Sequence, residues 1–289
     1  MTQRALLAVF AHPDDELSAG GTLAHYARDG VSTHLICATR GDVGEAPPDL
    51  KGFASIGEMR EDELKCACNI LGLDSVNFLG YRDSGMPGSA DNHHPQALAA
   101  TPTETVARQV AAYIRRLKPQ VVITFDPIGG YRHPDHIAIH KATVEAFRMA
   151  GDQRLEIGDL PPYAPQKLYF TVFSRRFLRA VVRVLSLIGQ DPHHFGKNKD
   201  VDLTSLVEVD YPTHTRISIR DVMRQKERAT ACHSSQLEGM GGPGARFLMR
   251  LFAGDETFMR AVPAEPPQQT ERDLFEGVDA APRANSRRF

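Results

Sequence analysis

The chain has 289 residues, of which 42% are hydrophobic and 24% charged, and its formal net charge at pH 7 is −2. This balance gives no indication of nucleic acid or an anionic membrane surface as a partner, and no apolar run reaches the ~20 residues of a membrane span, so stable membrane insertion is not expected. The length and the apolar content predict one large α/β domain, or a domain with an extension.

The four cysteines are Cys37, Cys66, Cys68 and Cys232. Their spacing is not that of a disulfide framework, and a Cys-x-Cys pair alone is a weak zinc signal. We therefore expect reduced, buried thiols and a cytoplasmic protein. The short apolar stretch near the N-terminus runs directly into charged residues, which does not fit a signal peptide.

The first half of the chain alternates strand and helix patterns. Apolar runs predict strands at 5–11, 31–39, 75–79, 121–125 and 167–173. Helical spacing with capping and stop signals predicts helices at 17–28, 57–71, 103–117 and 136–150. This alternation predicts a Rossmann-like parallel sheet covered by helices. If the strand order is 3-2-1-4-5, strands one and four are neighbours at the switch point, where such sheets bind ligands.

Beyond residue 174 the pattern loosens. A basic amphipathic helix at 175–188 carries Arg176, Arg179 and Arg183 along one face. Such a helix can lie on a membrane or receive an anionic substrate, but packing on the core or on another subunit is favoured. Short strands are predicted at 207–209 and 216–219, and helices at 221–232 and 245–252.

The predicted domain organisation is a single domain over residues 1–262, with a core at 1–173 and a C-terminal extension of short strands and helices at 174–262. The tail at 263–289 is poor in large apolar residues. We expect it to be irregular, or to be ordered only by docking on a partner.

Two polar clusters follow predicted strands one and four. The first is His12-Pro13-Asp14-Asp15-Glu16, and the second is Arg132-His133-Pro134-Asp135-His136. Burying imidazole and carboxylate groups is costly without a partner, and a divalent cation is a suitable one. Because the two strands are expected to be adjacent, the clusters together predict a metal-centred hydrolase.

Zinc in hydrolases takes three His or carboxylate ligands and leaves a position for water. His12 and Asp15 can reach one point, and His133 and His136 are the candidates for the third ligand. Asp14 is placed to take a proton from the water, and His133 to protonate a leaving amine or to stabilise an oxyanion. The alternative for each cluster alone is that these residues cap helices or lie in loops.

Two further residues of these clusters are given lesser roles. Glu16 is expected only to supply favourable charge to the first turn of a helix. His140, one turn after His136, is expected to pack beside the site rather than to bind the ion.

The runs Ala11-His12-Pro13-Asp14-Asp15-Glu16 and Gly129-Gly130-Tyr131-Arg132-His133-Pro134-Asp135-His136 resemble the signatures of the LmbE-like, or PIG-L, family of zinc-dependent de-N-acetylases. The resemblance covers roughly residues 4 to 262 and includes Thr39-Arg40-Gly41, the run from Tyr81 to Met86 and the run from Ala231 to Gln236. The Tyr-Arg-Asp-Ser-Gly-Met run is especially similar to the mycothiol branch, which contains a deacetylase and an S-conjugate amidase.

The resemblance implies a set of roles. It implies zinc on His12, Asp15 and His136, with Asp14 as general base and His133 as acid or oxyanion stabiliser, together with Tyr131. It also implies that Arg60 and Asp83 bind the sugar. Taken without the family, Arg60 would be a surface helix charge paired with a neighbouring glutamate, and Asp83 would be a turn residue.

The leading functional hypothesis is a hydrolase that removes the acetyl group from an N-acetylglucosamine-type conjugate, a small-molecule substrate. One alternative is an amidase that cleaves a larger acyl group from a glucosamine or thiol conjugate. An alternative of another class is a non-catalytic protein that binds metal or sugar. A site of this composition can also accept Fe²⁺ or Co²⁺ in place of Zn²⁺. The resemblance makes a homo-oligomer plausible.

Overall fold

The computed structural model describes residues 3–172, 175–187, 189, 191–192, 204, 209–237 and 254–279. The strands within these ranges are β1 (Ala5–Phe10), β2 (Ser32–Thr39), β3 (Ser75–Tyr81), β4 (Val121–Phe125), β5 (Lys167–Thr171), β6 (Thr215–Ser218) and β7 (Asp255–Val262). The α-helices are α1 (Gly20–Arg28), α2 (Ile56–Leu71), α3 (Thr103–Leu117), α4 (Gly129–Arg132), α5 (Pro134–Gly151), α6 (Arg175–Leu187), α7 (Met223–Thr230) and α8 (Ser234–Leu237). Short 3-10 turns occur at Asp15–Ser18, Ala90–His93 and Leu98–Ala100.

The strands form one sheet in the order β3-β2-β1-β4-β5-β7-β6. The pairings from β3 to β5 are parallel, whereas β7 runs antiparallel to both β5 and β6. Every residue of β1, β4 and β5 is buried, as expected for central strands covered on both faces. The predicted α/β class and the parallel core in the order 3-2-1-4-5 are confirmed.

Two groups of helices pack around this sheet, with α3 against α5 in one group and α1, α2 and α7 in the other. Local sequence signals define both ends of α2 and the start of α5. Ser55 caps α2 by accepting the backbone N–H of Glu58 over 3.1 Å, and Gly72 ends this helix with φ of 82°. His133 caps α5, with Pro134 in its first turn.

The C-terminal strand β7 is an element that we did not predict. Its buried position 256 is a glutamate, which breaks the apolar alternation by which strands are recognised. The Glu256 carboxylate accepts the backbone N–H groups of Gly21 and Thr22 over 2.9 and 2.7 Å, and it pairs with Lys226. This carboxylate therefore satisfies the unpaired donors at the start of α1.

Several predicted boundaries shift in the structure. The helix expected at 17–28 is divided into the 3-10 turn and α1, because Ala19 between them is not helical. The helix expected at 221–232 is shorter and corresponds to α7. The predicted helix at 245–252, and residues 207 and 208 of the predicted strand at 207–209, lie outside the described residues.

The expectation of reduced thiols is wrong for two of the four cysteines. Cys66 on α2 and Cys232 after α7 form a disulfide, although 166 positions separate them in sequence. Their pairing follows from the packing of α2 against α7, which the spacing of cysteines alone does not reveal. Cys37 and Cys68 are free and buried, as expected.

Residues 264–279 contain no helix or strand, yet they pack on the core. Leu274 and Phe275 are almost completely buried, and the backbone N–H of Leu274 donates to the hydroxyl of Tyr26. Glu271 is buried beside Lys167, whose Nζ lies 2.8 Å from its carboxylate.

None of the helices within the described residues has both the length and the apolar character needed to span a membrane.

Candidate active site

The two polar clusters meet beyond the carboxyl ends of β1 and β4, which are adjacent parallel strands. The first cluster follows β1 in a tight turn that leads into the 3-10 helix, and the second leads from β4 through α4 into α5. His12 and His136 are 7% and 1% exposed, although more than 120 residues separate them in sequence. The topological switch point thus brings both clusters to one place.

Three potential ligand atoms converge at the centre of this site. His12 Nδ1 lies 3.2 Å from His136 Nε2 and 3.4 Å from Oδ2 of Asp15. His136 Nε2 lies 3.2 Å from Oδ1 of Asp15. Atoms that bind a tetrahedral zinc ion at about 2.0–2.1 Å are roughly 3.3 Å from one another. The spacing of these three groups therefore matches a metal-ligand set.

The outward-facing nitrogens of the two imidazoles have acceptors of their own. His136 Nδ1 contacts the carbonyl oxygen of Gly129 at 3.1 Å, and His12 Nε2 contacts Asp135 Oδ2 at 3.0 Å. In neutral rings these nitrogens carry the proton, so that lone pairs of His12 and His136 face each other beside the Asp15 carboxylate. Such acceptors repel one another unless a cation lies between them, and partners of this kind orient metal-binding histidines.

The charged groups of the site shift the pKa values of two potential ligands, His12 and Asp15. Burial lowers the pKa of His12, but the carboxylates of Asp83, Asp135 and Asp15 outweigh it and raise that pKa well above its usual value. Burial raises the pKa of Asp15, but His136 and His12 outweigh it and hold that pKa well below its usual value. The site therefore favours a positive charge, either a proton or a metal ion, next to His12.

Two other groupings of ligand-type atoms occur in the described residues. Ring nitrogens of His12, His133 and His136 lie within 4.8 Å of one another, as do atoms of His12, Asp83 and Asp135. In the second grouping both carboxylates accept hydrogen bonds from nearby residues. Asp135 accepts the backbone N–H and the hydroxyl of Ser84. Asp83 likewise accepts the N–H of Gly85 over 2.8 Å, which fixes its buried carboxylate.

Asp14 lies next to the ligand cluster in an unusual backbone conformation, with φ of 105°. Its side chain is 26% exposed, and its Oδ2 is 3.4 Å from Nη2 of Arg60. Desolvation raises the pKa of Asp14 to about 6, against the opposing charge of Arg60. A carboxylate with a pKa near neutrality is suited to accept and return a proton.

Arg60 is not the surface charge that an isolated helix would suggest, because it is only 5% exposed. Its guanidinium donates to the carbonyl oxygens of Pro13 at 2.8 Å and Gly41 at 3.1 Å, which joins the loops that follow β1 and β2. A Cβ on Gly41 would lie 2.1 Å from the same guanidinium, so the glycine is needed for this approach. A sugar contact by Arg60 or Asp83 stays a prediction.

His133 and Tyr131 lie on the α4 side of the cluster. The ring centre of His133 is 4.9 Å from that of His136, and the ring of Tyr131 is 5.0 Å from His136. Burial, followed by the charges of His12 and His136, lowers the pKa of His133 to about 2. Its Nδ1 accepts the N–H of Asp135 at 3.2 Å, so the neutral ring carries its proton on Nε2.

His140, one turn after His136, does not join this cluster. Its Nδ1 contacts the carbonyl oxygen of Phe125, and its ring packs against Phe170.

Two buried pairs join the segment 231–236 to the rest of the site and were not predicted from the sequence. Glu16 is fully buried, and its Oε1 lies 2.7 Å from Nε2 of His233. Burial lowers the pKa of His233, but Glu16 outweighs it and raises that pKa above its usual value. Glu63 accepts hydrogen bonds from the N–H and hydroxyl of Ser235. The polar run Cys-His-Ser-Ser-Gln after α7 was the available signal.

The fold and the site define a Rossmann-like α/β protein with a metal-type ligand cluster at its switch point. The family model for GlcNAc-PI de-N-acetylases (PIG-L) matches residues 7–147. A relative from Thermobifida fusca (strain YX), named 1D-myo-inositol 2-acetamido-2-deoxy-alpha-D-glucopyranoside deacetylase, is 38% identical over 252 residues, covering 83% of this chain and 86% of its own. A relative of the same name from Acidothermus cellulolyticus is 37% identical and covers 96% of each chain.

A solved structure has the same fold over nearly the whole length. The conserved protein TT1542 from Thermus thermophilus matches with a TM-score of 0.61 and 27% identity, covering 90% of this chain and 95% of that protein. The chain therefore belongs to the PIG-L de-N-acetylase family.

Proposed function

We propose that this protein is a metal-dependent N-deacetylase that releases acetate and a free amine from an N-acetylglucosamine-type conjugate. The convergence of three lone-pair-bearing atoms from His12, Asp15 and His136, with the Asp14 carboxylate beside them, carries this proposal. The relatives from Thermobifida fusca and Acidothermus cellulolyticus are named as deacetylases of an inositol-linked acetamido sugar. Such a glycoside is therefore the first substrate to test.

In this proposal His12, Asp15 and His136 hold the ion, which is Zn²⁺ or, with the same ligands, Fe²⁺ or Co²⁺. A divalent ion bound there would lower the pKa of a water molecule and polarise the acetamide carbonyl. Two imidazoles and one carboxylate are the ligand types of hydrolytic zinc sites that keep a position open.

The protein's own residues then move the protons. Asp14 takes a proton from the attacking water and passes it to the amide nitrogen as the C–N bond breaks, so that acetate and amine leave with their atoms balanced. Its pKa of about 6 makes both transfers accessible near neutral pH. The Nε2–H of His133 donates to the developing oxyanion, with Tyr131 as a second donor. Arg60 and Asp83 orient the sugar.

The test of this proposal is an amine-release assay with metal-loaded protein and N-acetylglucosamine conjugates that differ in aglycone. A parallel set with a larger acyl group on the same amine distinguishes deacetylase from amidase activity. Asp14→Asn keeps the side-chain shape but removes the base, and we expect kcat to fall at least ~100-fold. Unchanged turnover in this variant would remove Asp14 from the mechanism. No turnover of any conjugate by the unsubstituted protein would favour a binding protein.

The ligand assignment has a test of its own. His136→Ala should lower the metal content measured by elemental analysis after dialysis, whereas His140→Ala, one turn further along α5, should leave it unchanged. Full metal occupancy in His136→Ala would assign that ligand position to another residue.

A further inference from the structure

The segment 231–236 contacts the loop that carries Asp14. His233 and Glu16 are 1% and 0% exposed, and their side chains meet at 2.7 Å. The second carboxylate oxygen of Glu16 accepts the backbone N–H of Asp14 over 3.0 Å. His233 is thereby connected to Asp14 through a single buried side chain.

The backbone of Asp14 needs such support. With φ of 105° it lies in a region that residues other than glycine rarely adopt. A conformation of this kind is strained and persists only where the surroundings impose it. The bond from Glu16 holds the N–H of Asp14, while Arg60 holds the preceding carbonyl oxygen of Pro13 at 2.8 Å.

The position of His233 is itself fixed on α2. Glu63 accepts the hydroxyl of Ser234 at 3.1 Å and the N–H of Ser235 at 2.8 Å, and Cys232 is joined to Cys66. Both Glu63 and Cys66 belong to α2, which also carries Arg60. The same helix therefore sets the supports on both sides of Asp14.

We propose that Glu16 and His233 are positioning residues that hold Asp14 in the orientation in which its carboxylate serves as the base. The hydrogen bonds of Glu16 and His233 run to each other and to the N–H of Asp14, so we expect their effect on turnover to pass through Asp14. This inference rests on the proposed function, in which Asp14 moves the proton.

The principal variant is His233→Ala. We expect kcat to fall about 10- to 100-fold, since a small misplacement of a catalytic group has effects of this size, while KM and the bound metal per chain stay within about twofold. His34→Ala is the matched control, because His34 is also a buried histidine, 8% exposed, with a side-chain hydrogen bond to Ser75 at 2.9 Å. It lies near the start of β2, away from the carboxyl ends that form the site.

A pair of further variants separates positioning from loss of folding. His233→Gln keeps an N–H that can reach Glu16, whereas His233→Asn is shorter by one methylene group. We expect kcat of the Gln variant to exceed that of the Asn variant at equal urea-unfolding midpoints. Equal kcat values in these two folded variants would overturn the inference.

A double-mutant cycle with Asp14→Asn makes the route explicit. If His233 acts through Asp14, adding His233→Ala to Asp14→Asn should change the residual rate by less than about twofold. A further 10-fold loss would contradict the positioning role while leaving the base assignment intact. If Asp14→Asn alone leaves turnover unchanged, the proposed function fails at that residue, which is a different result.

Discussion

The glycine at position 129 offers a sharp test of how the site is held. Gly129 has φ of 64°, and its carbonyl oxygen accepts from Nδ1 of His136 at 3.1 Å. A Cβ built at this position would lie 2.6 Å from the Cβ of His136 and 2.8 Å from the backbone nitrogen of Ile137. Gly129→Ala should therefore displace the start of α5 and turn the His136 ring away from His12.

The size of the effect follows from two contributions. A side chain in the left-handed region costs roughly 1–2 kcal/mol, and an overpacked contact adds about 1–3 kcal/mol. We expect Gly129→Ala to lower the free energy of unfolding by about 2–5 kcal/mol in total. Because the His136 ring loses its orienting bond, affinity for zinc should fall about 10- to 100-fold.

Gly130→Ala is the matched control for this prediction. Gly130 also has positive φ, 66°, but a Cβ there meets no described atom within 4 Å. It should destabilise the fold through backbone strain alone and leave zinc affinity within about threefold. Urea unfolding in chelator measures stability, and competition with a chromophoric chelator measures affinity. Equal zinc affinity in both alanine variants would show that Gly129 does not orient the His136 ring for metal binding.

Three other outcomes follow from the structure. Non-reducing peptide mapping should recover a Cys66–Cys232 pair, and Cys66→Ser should lower the free energy of unfolding by about 2–4 kcal/mol in oxidising buffer only; an equal loss in reducing buffer would exclude the bridge as its cause. Glu271→Gln, which leaves Lys167 buried without its carboxylate, should cost about 3–5 kcal/mol in urea unfolding, and a loss below ~1 kcal/mol would contradict that pairing. Chelator should lower Tm in calorimetry, since an ion at 100 times its Kd stabilises by about 2.7 kcal/mol; an unchanged Tm would argue against a resident ion.

The parallel core could be predicted because its signals are local. Each of the first five strands is a short apolar run, and the helices between them have apolar residues at helical spacing and local stop signals such as Gly72. The adjacency of β1 and β4 then follows from the topology of doubly wound sheets, which predicts that His12 and His136 lie close together. The predicted metal-ligand cluster therefore depended on the fold as much as on the motifs.

The remaining features depend on contacts between distant parts of the chain. Glu16 in a first helical turn looks like a surface charge, and only its packing on His233, 217 positions away, shows that it is buried. The disulfide has the same origin, because Cys66 and Cys232 meet only when α7 packs on α2. β7 was not predicted because its inward-facing residue Glu256 is charged. This side chain accepts backbone hydrogen bonds from the start of α1 instead of packing against an apolar neighbour.

Because β7 lies near the end of the chain, the sheet and α1 can be completed only late in synthesis. β7 covers the edge of β5, and its Glu256 caps α1, which lies more than 230 positions earlier in the chain. During synthesis, the chain up to β5 therefore has an open strand edge, and α1 lacks its cap, until β7 has emerged from the ribosome. Versions of the protein trimmed before this point would retain every proposed metal ligand, yet they would be prone to pair edge to edge and aggregate.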